Sequence, residues 1–97
     1  MLAKVHVAEG RKVVAVCDSK LLGRRFEEAD FQIDLRGSFF RGEEVTEPQL
    51  VKLLDNAFSA TFVGEESVGF AIRRRLVEAS GVSRVGGIPQ AQFMSLL

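Results

Sequence analysis

The chain has 97 residues, enough for one domain with its own core and too few for two. Thirteen basic residues balance thirteen acidic ones, which excludes a partner chosen by overall charge and leaves only local clustering to do so. A single cysteine, Cys17, excludes an internal disulfide, and one Cys with one His excludes a closed zinc site of the usual ligand sets.

The opening segment "MLAKVHVAEG" contains no apolar run long enough for a signal peptide or a membrane span. With the lone cysteine this predicts a soluble cytoplasmic protein without membrane contact or cofactor. Eight phenylalanines stand beside no tryptophan or tyrosine, so the aromatic residues carry no polar handle and belong mostly in the core.

"KVHV" and "KVVAVC" flank Glu9-Gly10 and predict a hairpin that pairs Ala8 with Arg11, His6 with Val13 and Leu2 with Cys17. Ala3, Val5, Val7, Val14 and Val16 then share the core face, and Lys4, His6, Ala15 and Cys17 the other. "DSKLLGRRFEEAD" breaks the pattern and reads as a basic-then-acidic connection. "FQIDL" alternates as a strand with Phe31, Ile33 and Leu35 inward.

Thr46 and Gln49 spell a capping box, Val45 is placed to staple onto Leu50, and Pro48 sits in the first turn where its missing N–H does little harm. Leu50, Leu53, Leu54, Ala57 and Phe58 form the stripe of this first helix. "ATFV" is a short buried strand. A second helix is expected from Glu65 to Ala79, with Val68, Ala71, Ile72, Leu76 and Ala79 inward and Ser80-Gly81 as its C-cap. "VSRV" and "AQFMSL" close the chain as two strands around Gly86-Gly87-Ile88-Pro89. The order predicts a single α+β domain over 1–97: a mixed sheet opening with a β-hairpin, and two helices packed largely on one face.

Four segments in this order, "AVCDSKLLG", "FFRGE", "VGEESVGFAI" and "RVGGIPQAQ", resemble a small archaeal family known as domain of unknown function 424. The resemblance covers nearly the whole chain. It implies a fold and a setting near translation, and carries over no catalytic residue.

Cys17 and His6 share a sheet face, but the predicted register leaves them four residues apart, about 13 Å, beyond the reach of a nucleophile and its base. The neighbouring carboxylates Glu27-Glu28, Glu43-Glu44 and Glu65-Glu66 do not face one another and make no acid/base pair. Glu65-Glu66 lies where negative charge suits a helix N-terminus, and it repels phosphate from that position.

Arg73, Arg74 and Arg75 cover most of the exposed arc of a helical turn. Arg74 is spaced to pair with Glu78, and at least two of the three guanidiniums are left for an outside partner. Lys20, Arg24, Arg25 and Arg84 extend a phosphate-facing patch if the fold joins them. Phe39, Phe40 and Arg41 suggest one buried ring and one exposed ring able to stack on a base or fill a partner's pocket. Gly86-Gly87 and Pro89 make a tight corner, with Gln90 and Gln92 on one strand face as hydrogen-bonding groups suited to recognition.

The residues therefore lead first to a non-enzymatic binding module for RNA or a ribosomal partner. The alternative is a protein-interaction adaptor using an exposed Phe and the apolar tail "FMSLL". A third reading, a small-ligand or hydrolytic site, would need Gln90, Gln92, Cys17 or His6 to converge in a pocket.

Overall fold

The computed structural model describes residues 1–95, and every structural statement below concerns these. Strand β1 (Leu2–Ala8) turns at Glu9-Gly10, both at positive φ, into β2 (Arg11–Cys17). The register is the expected one, with Ala8 opposite Arg11, His6 opposite Val13 and Leu2 opposite Cys17. A 3₁₀ turn (Ser19–Leu21) leads into a second hairpin, β3 (Arg25–Glu28) and β4 (Phe31–Asp34). The short strand β5 (Glu43–Glu44) precedes helix α1 (Glu47–Leu53). Strand β6 (Ser59–Val63), helix α2 (Glu65–Arg73), β7 (Ser83–Val85) and β8 (Ile88–Met94) complete the order.

Six strands form one sheet in the order β5-β1-β2-β6-β8-β7, and β3-β4 forms a separate two-stranded sheet. The β2–β6 pair is parallel and all others are antiparallel, so the large sheet is mixed. Both of its faces are covered. Val14, Val16, Ala60, Phe62 and Ala91 meet Leu50 of α1 and Val68, Phe70 and Ala71 of α2. On the opposite face Ala15, Cys17, Val63 and Val85 meet Leu21, Ile33, Leu35 and Phe40. The α+β class and the placement of both helices against one face follow the expectation from sequence.

The capping box forms as spelled: the Gln49 N–H donates to Thr46 Oγ1 at 3.3 Å, and the Thr46 N–H to Gln49 Oε1 at 2.9 Å. Other expectations are corrected. "GRRFEEAD" is not a bare connection; it holds β3 and the Ala29-Asp30 turn, which the charged side chains conceal from a hydrophobic pattern. Phe31 keeps the parity of Ile33 and Leu35 but abuts that turn and lies 68% exposed. Val5 and Val7 share the parity of the core face, yet they are 39% and 76% exposed, and the core cluster on that face takes Ala3 but neither valine. The first helix ends at Leu53, so Ala57 and Phe58 lie outside it.

The largest correction concerns α2, which stops at Arg73. The Leu76 N–H donates to the Ala71 carbonyl at 2.9 Å and the Arg75 N–H to the Ile72 carbonyl at 3.0 Å, with Arg75 at φ +59. This is the two-bond pattern of a Schellman cap with arginine in the left-handed position. Leu76 and Val77 still pack on the core, so the apolar spacing outlives the helix. Ala79 is exposed, and Ala79–Gly81 is a 3₁₀ turn. Leu96 and Leu97, assigned to the last strand and the apolar tail, lie outside the described residues.

Candidate functional site: a basic groove beside helix α1

Three of the four family-like segments, "AVCDSKLLG", "VGEESVGFAI" and "RVGGIPQAQ", converge on one joint. Asp18 leaves β2 buried, and its carboxylate accepts from the Glu66 N–H (3.0 Å), the Ser67 N–H (2.8 Å) and the Ser67 hydroxyl (2.8 Å). It thus caps α2 from outside the helix and fills the place an anion would take. Gly64 sits at φ +109, and a Cβ there would fall 2.3–2.6 Å from the Asp18 carboxyl atoms. The Gly64 N–H donates to the Pro89 carbonyl at 2.9 Å. The Ser19 hydroxyl donates to Glu44, and that bond, with a second from the Met1 ammonium at 3.1 Å and its positive charge, holds the Glu44 carboxyl below its ordinary range. No buried side-chain polar atom among the described residues lacks a partner. The motif residues are spent on holding strand, helix and corner together.

Gly86 and Gly87, at φ +58 and +81, form the tight corner between β7 and β8. Gln90 is half-buried and Gln92 exposed, its amide 3.5 Å from Thr61 Oγ1. Cys17 is fully buried, and burial, then the Asp18 charge, pushes its thiol up to about 11. His6 stays four residues along the register from it. Its Nε2 lies 2.9 Å from the Phe39 carbonyl, and its ring stacks on Phe39 at 4.5 Å. Gln90 and Gln92 line a pocket with Thr61, Gly81 and Ser83, and neither Cys17 nor His6 is in its lining.

The expected basic patch is divided. Lys20, Arg24 and Arg25 belong to the hairpin side of the sheet, Arg73, Arg74 and Arg75 to the helical side. Arg24 lies over the Phe26 ring at 4.9 Å, and Arg25 binds Glu27 and Gln32. Arg84 pairs with Glu65 at 3.0 Å and with the Gly87 carbonyl at 2.9 Å. Arg73 reaches across to Glu47 of α1 at 2.8 Å. Because α2 ends early, the Arg74–Glu78 helical pair does not form, and Arg74 and Arg75 are exposed with no ion pair among the described residues. Phe40 is buried and Phe39 45% exposed, with Arg41 exposed beside them.

Arg74 instead opens onto a groove of about 500 Å³ between α1 and the end of α2, lined by Val51, Leu54, Phe70 and Leu76 with Lys52 and Asp55. A second groove of about 850 Å³ shares Lys52, Leu54 and Asp55 and runs to the β1–β2 hairpin, adding Arg11, Lys12, Asn56, Phe58 and Phe93. Arg11 stacks on the Phe58 ring at 4.3 Å, and Lys12 Nζ donates to the Asp55 carbonyl at 3.0 Å. The Phe58 N–H closes onto the Lys12 carbonyl at 2.8 Å, which fixes the aromatic ring beside the hairpin. Four cations from three separate segments thus line a channel made of two adjoining grooves that share Lys52, Leu54 and Asp55, with Asp55 the one carboxylate in their lining. Only Arg74 among them stood out in the sequence; Arg11, Lys12 and Lys52 are isolated there, and register and helix phase bring them together.

The fold defines a single-domain α+β protein with a mixed six-stranded sheet between a helical layer and a small hairpin layer. A family model described as "Protein of unknown function (DUF424)" matches residues 6–96, and the chain belongs to this family. The crystal structure of an uncharacterized conserved protein from Methanopyrus kandleri is similar in fold. Its TM-score is 0.79 at 18% identity, over 95% of this chain and 88% of that one. No curated protein matches the sequence.

Proposed function

We propose that the protein is a non-enzymatic binding module for an RNA-containing partner, whose phosphates run along the channel of Arg11, Lys12, Lys52 and Arg74. The observation that carries this reading is the channel itself: cations spaced along apolar and aromatic walls suit a polyanion with stackable bases. Arg75 supports it. A non-glycine residue at a left-handed helix cap is disfavoured, and the side chain kept there is a free guanidinium beside Arg74. The ribosome is the partner that the family resemblance to a translational setting suggests.

The test is titration of a labelled single-stranded oligoribonucleotide at several salt concentrations. Affinity is expected to fall steeply as salt rises, because phosphate contacts release counterions. Binding that ignores salt, or that is unchanged when Lys52 and Arg74 are both alanine, overturns the reading. A protein-interaction adaptor is the second reading, favoured by the exposed Phe39 ring held in place on His6. It predicts salt-tolerant partners lost on Phe39→Ala.

A further inference from the structure

Strand β1 is an outer strand over most of its length, because β5 covers only Leu2 and Ala3. The two-residue loop makes Ala8 and Arg11 the pair that closes the hairpin, so alternation gives β2 the backbone groups of Ala8, His6 and Lys4. Those of Val5 and Val7 point outward. Met1 has the same parity, and its carbonyl accepts from the Val45 N–H at 2.9 Å on that outer side. Val7 is 76% exposed and Val5 39%. Proteins usually blunt such an edge with charge, proline or a bulge. Here the one charged side chain within β1, Lys4, is drawn aside to the Ser38 carbonyl at 3.2 Å.

We propose that a second copy of this chain occupies the edge, the two β1 strands pairing antiparallel about a two-fold axis at Val7. Each Val7 would then exchange both backbone bonds with its counterpart, and the two exposed side chains would cover each other. Gly42 sets this register. It packs against the backbone of Ala3 and Lys4, so an axis one residue lower would drive Ala8 of the copy into it. With the axis at Val7, Glu9 of the copy arrives opposite Val5, at a recess whose lining sets two cations, Arg41 and Lys4, against one carboxylate, Glu43. Neither Glu9 nor Arg41 has an ion pair among the described residues, so two matched charges meet, once on each side of the axis. The chain's zero net charge adds no long-range repulsion. Self-complementarity of strand, apolar side chain and charge is what selects a second copy over an unrelated strand.

The contact is short, so the dimer is weak and concentration-dependent. Sedimentation velocity without RNA, from about 10 µM to about 1 mM, is expected to show the mass rising from one chain towards two. Val7→Lys sets two cations face to face on the axis, and Val7→Pro deletes the outward N–H while sparing the β2 ladder. Both variants are expected to weaken association at least about tenfold with an unchanged circular dichroism spectrum. Glu9→Arg is expected to weaken it too, and pairing it with Arg41→Glu to restore it. A single-chain mass at every concentration overturns the proposal, as does a dimer that survives both Val7 variants. The experiment contains no RNA, so its outcome is separate from that of the channel reading.

Discussion

The two ends of helix α2 are built on opposite terms. At the first turn, Asp18, Gly64, Ser67 and Pro89 close on one another and leave nothing for an outside partner. At the last turn Arg73 is tied to Glu47, while Arg74 and Arg75 project into solvent beside a cationic channel. The end with the conspicuous sequence motifs is structural. The end with one plain run of arginines is where charge remains available. A buried carboxylate must be fully hydrogen-bonded, which demands particular residues at particular positions, whereas a phosphate-facing surface asks only for positive charge within reach.

The sharpest way to break this contrast is at Gly64. Its φ of +109 and its contact with Asp18 leave no room for a side chain, so Gly64→Ala is expected to cost about 4 kcal/mol in urea denaturation. A cost below about 1 kcal/mol would show that the joint yields. Asp18→Ala strands two N–H groups and the Ser67 hydroxyl and is expected to cost about 3 kcal/mol, with Asp18→Asn recovering part of it. Neither change should alter oligonucleotide affinity in the folded protein.

At the other end the signs reverse. Lys52→Ala with Arg74→Ala is expected to leave stability unchanged, weaken oligoribonucleotide binding about tenfold and lower the salt slope by about two. Arg75→Gly relieves the left-handed cap and is expected to raise stability by about 0.5–1 kcal/mol while weakening binding. A variant both more stable and equally good at binding would show that Arg75, which lies beside the channel, takes no part in binding. The smallest effect concerns Cys17. With its thiol pushed up to about 11, the thiolate is scarce at pH 8, so an aromatic disulfide reagent should leave the folded protein unlabelled and react on unfolding.

The two ends also differ in how well the sequence foretells them. The β1–β2 register, the Thr46–Gln49 box and the Gly86-Gly87 corner were legible because each rests on contacts a few residues apart. The end of α2 was not: Leu76 and Val77 continue the apolar spacing from a non-helical path, and periodicity records burial rather than backbone hydrogen bonds. Strand β3 hid behind charged side chains, and Val5 and Val7 carried the core alternation past the end of the core.

Alternation, capping and turn chemistry in the 97 residues determined the α+β class, the opening hairpin and the placement of both helices on one face. Tertiary structure alone decided that Asp18 caps a helix 48 residues away, that the two basic segments lie on opposite sides of the sheet, and that Arg11, Lys12, Lys52 and Arg74 line one channel. The physical reason is range. Local signals fix elements through bonds that close within a turn, while charge clusters and joints depend on how the sheet orders strands distant in the chain.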